Sequence, residues 1–291
     1  MAKRDAAEKY TELARQNQME PPNVDWCLWL KDAAPGELRK LPKVIERIER
    51  IREFRLRSTA KPTRASAETP SLFFYISQPS TDYILIPEVS SARRSSIPIG
   101  FVSKEIISAN TNFLIPSSDI YLFGVLTSAM HMGWMRTVGG HLASRYRYSD
   151  SMVYNTLFGP NPTPAQRERV EEKARAVLAA REPHLPPRGL ATLADLYDPN
   201  TMPRDLLRAH AELDRAVEKC YRAEPFHSDR ERVEHLFRLY EQLTAPLLPA
   251  TPRRRGRASA AASPSSRPRR ARTVGVIVLP PLQDLGIFLG T

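Results

Sequence analysis

Residues that carry catalytic or metal chemistry are scarce in this 291-residue chain, and each scarcity excludes something. Its two cysteines, Cys27 and Cys220, lie too far apart for a CxxC or zinc-ligand spacing, which points to a reducing compartment. Its 12 glycines build no GxGxxG or GxxxxGK[ST] loop, so no phosphate cradle is expected, and there is no GxSxG nucleophile elbow. "HAELD" at 210–214 is not HExxH, and no metal site is expected. Asp195, Asp198, Asp205 and Asp214 are scattered helical or cap acids rather than a catalytic dyad. The most apolar run, "VGVIVLPPLQDLGIFLG" (274–290), is broken by Pro280, Pro281 and Asp284, short of the roughly 18 residues of a membrane span. The N-terminus "MAKRDAAEKYTELARQ" is charged throughout and has no apolar signal core, so a cytoplasmic location is expected.

What is present is basic charge, unevenly placed. The net charge is +11, but residues 252–273 hold eight arginines and no acid, and residues 1–251 keep 35 basic against 31 acidic residues, a net of +4. The tail "PRRRGRASAAASPSSRPRRART" is low in complexity and is expected to be disordered. Upstream, "PGELRKLPKVIERIERIREFRLRS" reads as one long helix opened by Pro35, with Leu38, Leu41, Val44, Ile48 and Ile51 at helical spacing. "DWCLWL" reads as strand or buried turn. "LFFYIS", "DYILIPEV", "IPIGFV" and "TNFLIP" read as short strands of a small sheet. "DIYLFGVLTSAMHMGWMRTV" (119–138) reads as a buried helix with Met130, Met132 and Met135 in the core and His131 as a satisfied histidine rather than a ligand. From 163 the pattern is helical again, with Thr163 as N-cap and Pro164 at the first helical position. The expected class is α+β: a small mixed-sheet domain with a buried helix, preceded by a long spacer helix and followed by a helical subdomain and the tail. The divisions are 1–60, 61–160, 161–251 and 252–291.

One stretch stands apart, "GGHLASRYRYSD" (139–150). In an extended chain, side chains alternate faces, so Arg145 and Arg147 point one way and Tyr146 and Tyr148 the other. Spacing alone makes this either a half-buried strand with a wet basic face or a basic face meant for an acidic partner. "VSSARRSSIP" is a Ser-rich turn carrying Arg93 and Arg94.

Seven collinear blocks carry a family resemblance: "WCLWLKDA", "LRKLPKVIERIERIREFR", "YILIPEVSSARRSSIPIGF", "LTSAMHMGWMRTVGG", "SRYRYSDSMVYNT", "LADLYDPNTMPRDLLRAHAELDRAVEKCY" and "ERVEHLFRLYEQLT". Over about 25–250 the chain resembles the C-terminal part of MmeI-like DNA adenine methyltransferases of restriction–modification and phage-defence systems. The resemblance implies a spacer, a target recognition domain and a helical C-terminal domain. It implies base recognition at Ala143, Arg145 and Arg147, and DNA-backbone contacts at Ser90, Ser91, Arg93, Arg94 and Arg136. Arginine suits base reading because its planar fork bonds guanine O6 and N7 together. Glu88 and Ala92 depart from the family pattern, which usually has a basic residue and an acid there, and "NTLFGP" replaces a stretch richer in Pro and Trp. No cofactor loop or [ND]PP[YF] motif is present: Pro280-Pro281 lacks the preceding Asn or Asp and the following aromatic. The expectation is therefore a chain with no catalytic residues, inactive alone, whose S-adenosylmethionine belongs to a separate or lost catalytic half, and whose partner is double-stranded DNA. Two alternatives stand beside it: a helical protein-interaction or structural module without DNA specificity, and a complete enzyme with an unrecognised site.

Overall fold

Proline decides where the first long helix begins. In the computed structural model, which describes residues 27–186, 188–244 and 277–278, the expected helix from Pro35 is split. A single turn, Pro35–Leu38, is followed by α1, Pro42–Leu56. Pro42 has no N–H for a bond to the previous turn, and its ring forces Leu41 out of helical geometry, to φ −117° and ψ 77°. Pro42 therefore starts a helix instead of sitting within one. No residue of α1 is buried. Its Arg55 fastens it to the following segment, donating to the carbonyls of Ser66 (2.8 Å), Thr69 (3.0 Å) and Leu72 (2.7 Å).

Two of the expected strand segments are irregular. "DWCLWL" is exposed or half-exposed irregular chain over its described residues. "LFFYIS" makes no strand, and Phe73, Phe74 and Tyr75 stay exposed. Its neighbour Gln78 satisfies the Lys104 and Ile106 carbonyls with its side-chain amide, so this edge of the fold is held by a side chain instead of a ladder. The other segments form one three-stranded antiparallel sheet, β1 (Tyr83–Pro87) between β3 (Gly100–Val102) and β4 (Asn112–Ile115). A second antiparallel sheet has β6 (Arg145–Arg147) between β2 (Val89–Ser91) and β5 (Gly140–Leu142).

The expected buried helix 119–138 is two helices, α2 (Ile120–Thr127) and α3 (Ala129–Val138). Ser128 is extended (φ −77°, ψ 161°) and caps α3, its hydroxyl accepting from the His131 N–H. The Ala129 N–H, which would continue a single helix, is instead taken by the Asp214 carboxylate at 2.7 Å. A tertiary acceptor, invisible in the local sequence, makes the break. Met130, Met132 and Met135 are buried as expected. Thr163 and Gln166 form a capping box at the start of α4 (Pro164–Arg181). The helices α5 (Arg204–Tyr221) and α6 (Asp229–Thr244) follow, with a short turn Leu193–Leu196 before them. Gly124 of α2 is where α4 comes closest: a Cβ there would lie 2.9 Å from Val170. One hydrophobic core runs from Ile84 and Ile115 of the first sheet through Phe123 and Leu126 to Val177, Leu213 and Leu236 of the C-terminal helices. Except for Ile277 and Val278, which pair with Phe158 and Gly159, the Arg-rich tail lies outside the described residues.

Candidate nucleic-acid interface

The ladder is a real strand, and its register states which side chains share a face. Leu142 pairs with Arg145, so Ala143 and Ser144 are the two-residue turn of a β5–β6 hairpin. Such turns need a positive φ at the first central residue, and Ala143 supplies it at φ 53°. In an L-residue with a Cβ this costs roughly 1 kcal/mol, which the flanking ladder bonds hold in place.

On β6, Arg145 and Arg147 are exposed and Tyr146 is half-buried. Tyr148, next on the inward side, is buried and anchors the strand. His131 Nδ1 lies 2.5 Å from the Leu126 carbonyl, which can only accept, so Nδ1 carries the proton. Burial lowers the His131 pKa to about 4, so the ring is neutral at pH 7. Its bare Nε2 then accepts from the Tyr148 phenol at 3.0 Å. His131 is thus a satisfied buried histidine, and it also fixes the depth of the strand that carries the arginines. The Tyr148 backbone N–H donates to Glu88 O at 2.7 Å, a second tie.

Arg147 Nε donates to Glu88 Oε1 at 2.9 Å. The bond holds the base of the guanidinium and leaves its two terminal nitrogens without a partner among the described residues. The β2–β6 register sets Ser91 opposite Arg145 and Ser90 opposite Tyr146. Ser91 therefore lies on the arginine face, while Ser90 points inward and is buried. The Ala92 N–H donates to Ser144 O at 3.3 Å, which brings the Arg93 turn beside the hairpin tip.

Of the eight residues expected to meet DNA, five gather on one accessible edge: Ser91, Arg93, Ala143, Arg145 and Arg147. The other three make internal bonds. Ser90 accepts from Arg94 at 3.4 Å, and Arg94 also donates to the Ala194 carbonyl at 3.0 Å, so Arg94 is tied down and is no free tip. Arg136 pairs with Asp229 at 2.5 Å and donates to Ser95 O at 2.8 Å. Sequence reasoning noted Glu88 only as a departure and did not find its bond to Arg147. The two are 59 positions apart, and no local pattern signals such a pair. Among the described residues no group of three or more His, Cys, Asp or Glu side chains could hold a metal ion. No helix among them is long and apolar enough to cross a membrane.

A solvated edge of arginines on an anchored hairpin, backed by helices, is the frame of a recognition module. The family comparison agrees: residues 16–161 match the MmeI target recognition domain and residues 162–248 the MmeI C-terminal domain, and the chain belongs to this family. Among solved structures it is similar to the Type IIL restriction–modification enzyme MmeI in complex with DNA. The two are 51% identical with a TM-score of 0.71, over 76% of this chain and 29% of that one. DNA methyltransferase A of Bacillus subtilis (strain 168) is 37% identical over 247 residues, 82% of this chain and 28% of the relative. The chain thus spans less than a third of either protein's length.

Proposed function

We propose that this chain is the DNA target-recognition portion of an adenine-N6 DNA methyltransferase of a restriction–modification or phage-defence system. The observation that carries the reading is the pair Arg145 and Arg147, held on one face of a strand that Tyr148 pins to the core through His131, in a chain 51% identical to a protein solved with DNA. Anchoring matters because a base-reading guanidinium must arrive with its fork already oriented. Arg145 and Arg147 take the base edges, with Ala143 at the tip beside them. Ser91 and Arg93 meet phosphate, which positions the module without reading sequence. Ser90, Arg94 and Arg136 serve that contact from behind. In functional terms the chain divides into a remnant and spacer (1–60), the recognition domain (61–160), a helical domain (161–251) and the tail (252–291). No methyl transfer is expected from this chain alone. S-adenosylmethionine and the adenine pocket belong to a catalytic domain outside these 291 residues.

Selection from a random duplex pool at low salt tests the reading. The wild-type chain should enrich one sequence pattern. Arg145→Ala should relax one base pair of it, and Arg93→Ala should weaken all sequences evenly while lowering the salt slope by about 0.9. No binding at low salt, or sequence-blind losses for both variants, would leave a helical interaction module as the better account.

A further inference from the structure

The segment joining β2 to β3, residues 92–99, carries Arg93 and touches the hairpin tip through Ala92. It is also gripped from the other side. Arg94 reaches out of it to the Ala194 carbonyl at 3.0 Å. Arg136 of α3 holds its Ser95 carbonyl at 2.8 Å, and Arg181 of α4 holds its Ile99 carbonyl at 2.8 Å. Three guanidiniums therefore fasten one short segment to the helices.

Two of these grips continue into the C-terminal helices as chains of polar contacts. Arg136 is held by Asp229 at 2.5 Å, Asp229 also takes Arg232 at 3.0 Å, and Arg232 closes on the buried Glu218 at 2.6 Å. The path runs from Ser95 across α3 and α6 to α5. Arg181 is only 3% exposed and has no carboxylate partner among the described residues. Its other bonds go to the Tyr197 phenol, and the Phe123 and Tyr197 rings lie beside its guanidinium at 5.4 and 5.0 Å. With two N–H groups of Arg181 donating to its oxygen, Tyr197 must donate its own proton to His210 Nε2, 2.7 Å away. A buried cation satisfied by a phenol and a carbonyl is a costly way to fill a core. An apolar residue of similar volume would serve stability alone at least as well. What the guanidinium adds is a fixed direction toward Ile99.

We infer that the C-terminal helices are a positioning frame for DNA binding: Asp229 and Arg181, which need not touch DNA, set the pose of the Arg93 turn and the adjoining hairpin tip. The inference rests on the DNA-recognition reading above. It differs from the expectation that Arg136 grips phosphate directly, and the two have opposite signs in one variant. Asp229→Asn removes a negative charge and frees Arg136. If Arg136 acts on phosphate, binding should hold or tighten. If the pair positions the turn, binding should weaken although the protein has become more positive. Asn suits the test because it matches Asp229 in shape, and Asp229 is half-exposed in the first turn of α6, which Ser228 caps by accepting from the Glu231 N–H.

The experiment measures affinity of the full chain for a fluorescent random-sequence duplex pool across a salt series, together with thermal midpoints and hydrogen exchange of residues 92–99. Asp229→Asn should weaken binding roughly three- to tenfold, in the range of contacting-residue couplings, and speed exchange in that segment. Arg181→Met should do the same with a larger effect. Equal or tighter binding by Asp229→Asn, or a lower thermal midpoint with unchanged binding and exchange, would overturn the inference. Failure of the wild-type chain to bind at all sinks the DNA reading instead. In that case unchanged exchange in Asp229→Asn removes the frame as well, and faster exchange retains it as a frame for the turn.

Discussion

Helices α1 and α5 are of similar length and similarly charged, and each has an apolar stripe at helical spacing, yet they behave as opposites. Helix α5 buries Leu206, His210, Leu213, Ala216, Val217 and Glu218. Helix α1 buries nothing, and Ile45, Ile51, Phe54 and Leu56 lie open. A stripe states that a helix has a side to hide; it does not state against what. Helix α5 meets α4, α2 and α3 in one core, whereas α1 is held chiefly by Arg55 and backbone carbonyls. The difference places the stable centre of the molecule in the C-terminal helices.

Four measurements sharpen or break that contrast, from the largest effect to the smallest. Leu213 is fully buried, so Leu213→Ala should cost about 2–5 kcal/mol in denaturant unfolding, whereas Ile48→Ala on α1 should cost well under half of that. Comparable losses would mean that α1 is as much part of the core as α5.

Acid should act on the same centre. His131 and His210 have pKa values lowered by burial to about 4 and about 3, with the Arg181 charge adding to the second. Groups depressed in the fold but ordinary in the unfolded chain bind protons on unfolding, so stability falls as pH drops below about 6.5. Asp214 opposes this: burial raises it to about 6, so the fold gains where it protonates. From pH 7 to 5 the net loss should be roughly 3 kcal/mol. Exchange in α1, which has no buried titratable group, should be unchanged; equal acceleration there would break the contrast.

Asp214 gives a third test, since at pH 7 its buried carboxylate is largely ionised. Asp214→Asn keeps an acceptor for the Ala129 N–H and removes that desolvation, so stability at pH 7 should rise by about 1–2 kcal/mol, with the gain fading as pH falls from about 6 to about 4. A loss at pH 7 would show that the charge itself holds the α2–α3 break. The smallest effect belongs to the hairpin tip. Ala143→Gly should relieve the positive φ and raise the thermal midpoint by an amount equal to about 1 kcal/mol or less. No gain would mean that the turn is not strained.

Much of the architecture was legible because it is local. β-rich composition between breakers marked β1, β3 and β4, and alternation marked the ladder; capping chemistry marked Thr163; the apolar run over 119–138 marked buried helix with Met130, Met132 and Met135 in the core. Apart from the helix from Pro35, which the local Pro42 splits, the misreadings share one cause. "LFFYIS" has strand composition, but a strand exists only with a partner, and among the described residues none pairs with it. The helix over 119–138 has no internal breaker as strong as proline, and its break depends on Asp214, 85 residues away from Ala129. Of the site, residue types and face alternation could be read from the chain, and the resemblance supplied the remaining positions. That Ser90 faces inward follows from its register against Tyr146, and that Arg94 and Arg136 are engaged follows from Ala194, Ser95 and Asp229.

The sequence by itself determined the α+β class, the order of helices and strands, the alternation that sends Arg145 and Arg147 to one side of their strand, and the family. Those properties rest on periodicity, caps and motifs, which act over a few residues. Only the tertiary structure decided which arginines are free. Arg93, Arg94, Arg136, Arg145, Arg147 and Arg181 are one residue type, but Arg181 is buried against Tyr197 while Arg145 stands in solvent. A guanidinium's role is set by the acceptors that reach it, and here those acceptors come from segments distant in sequence.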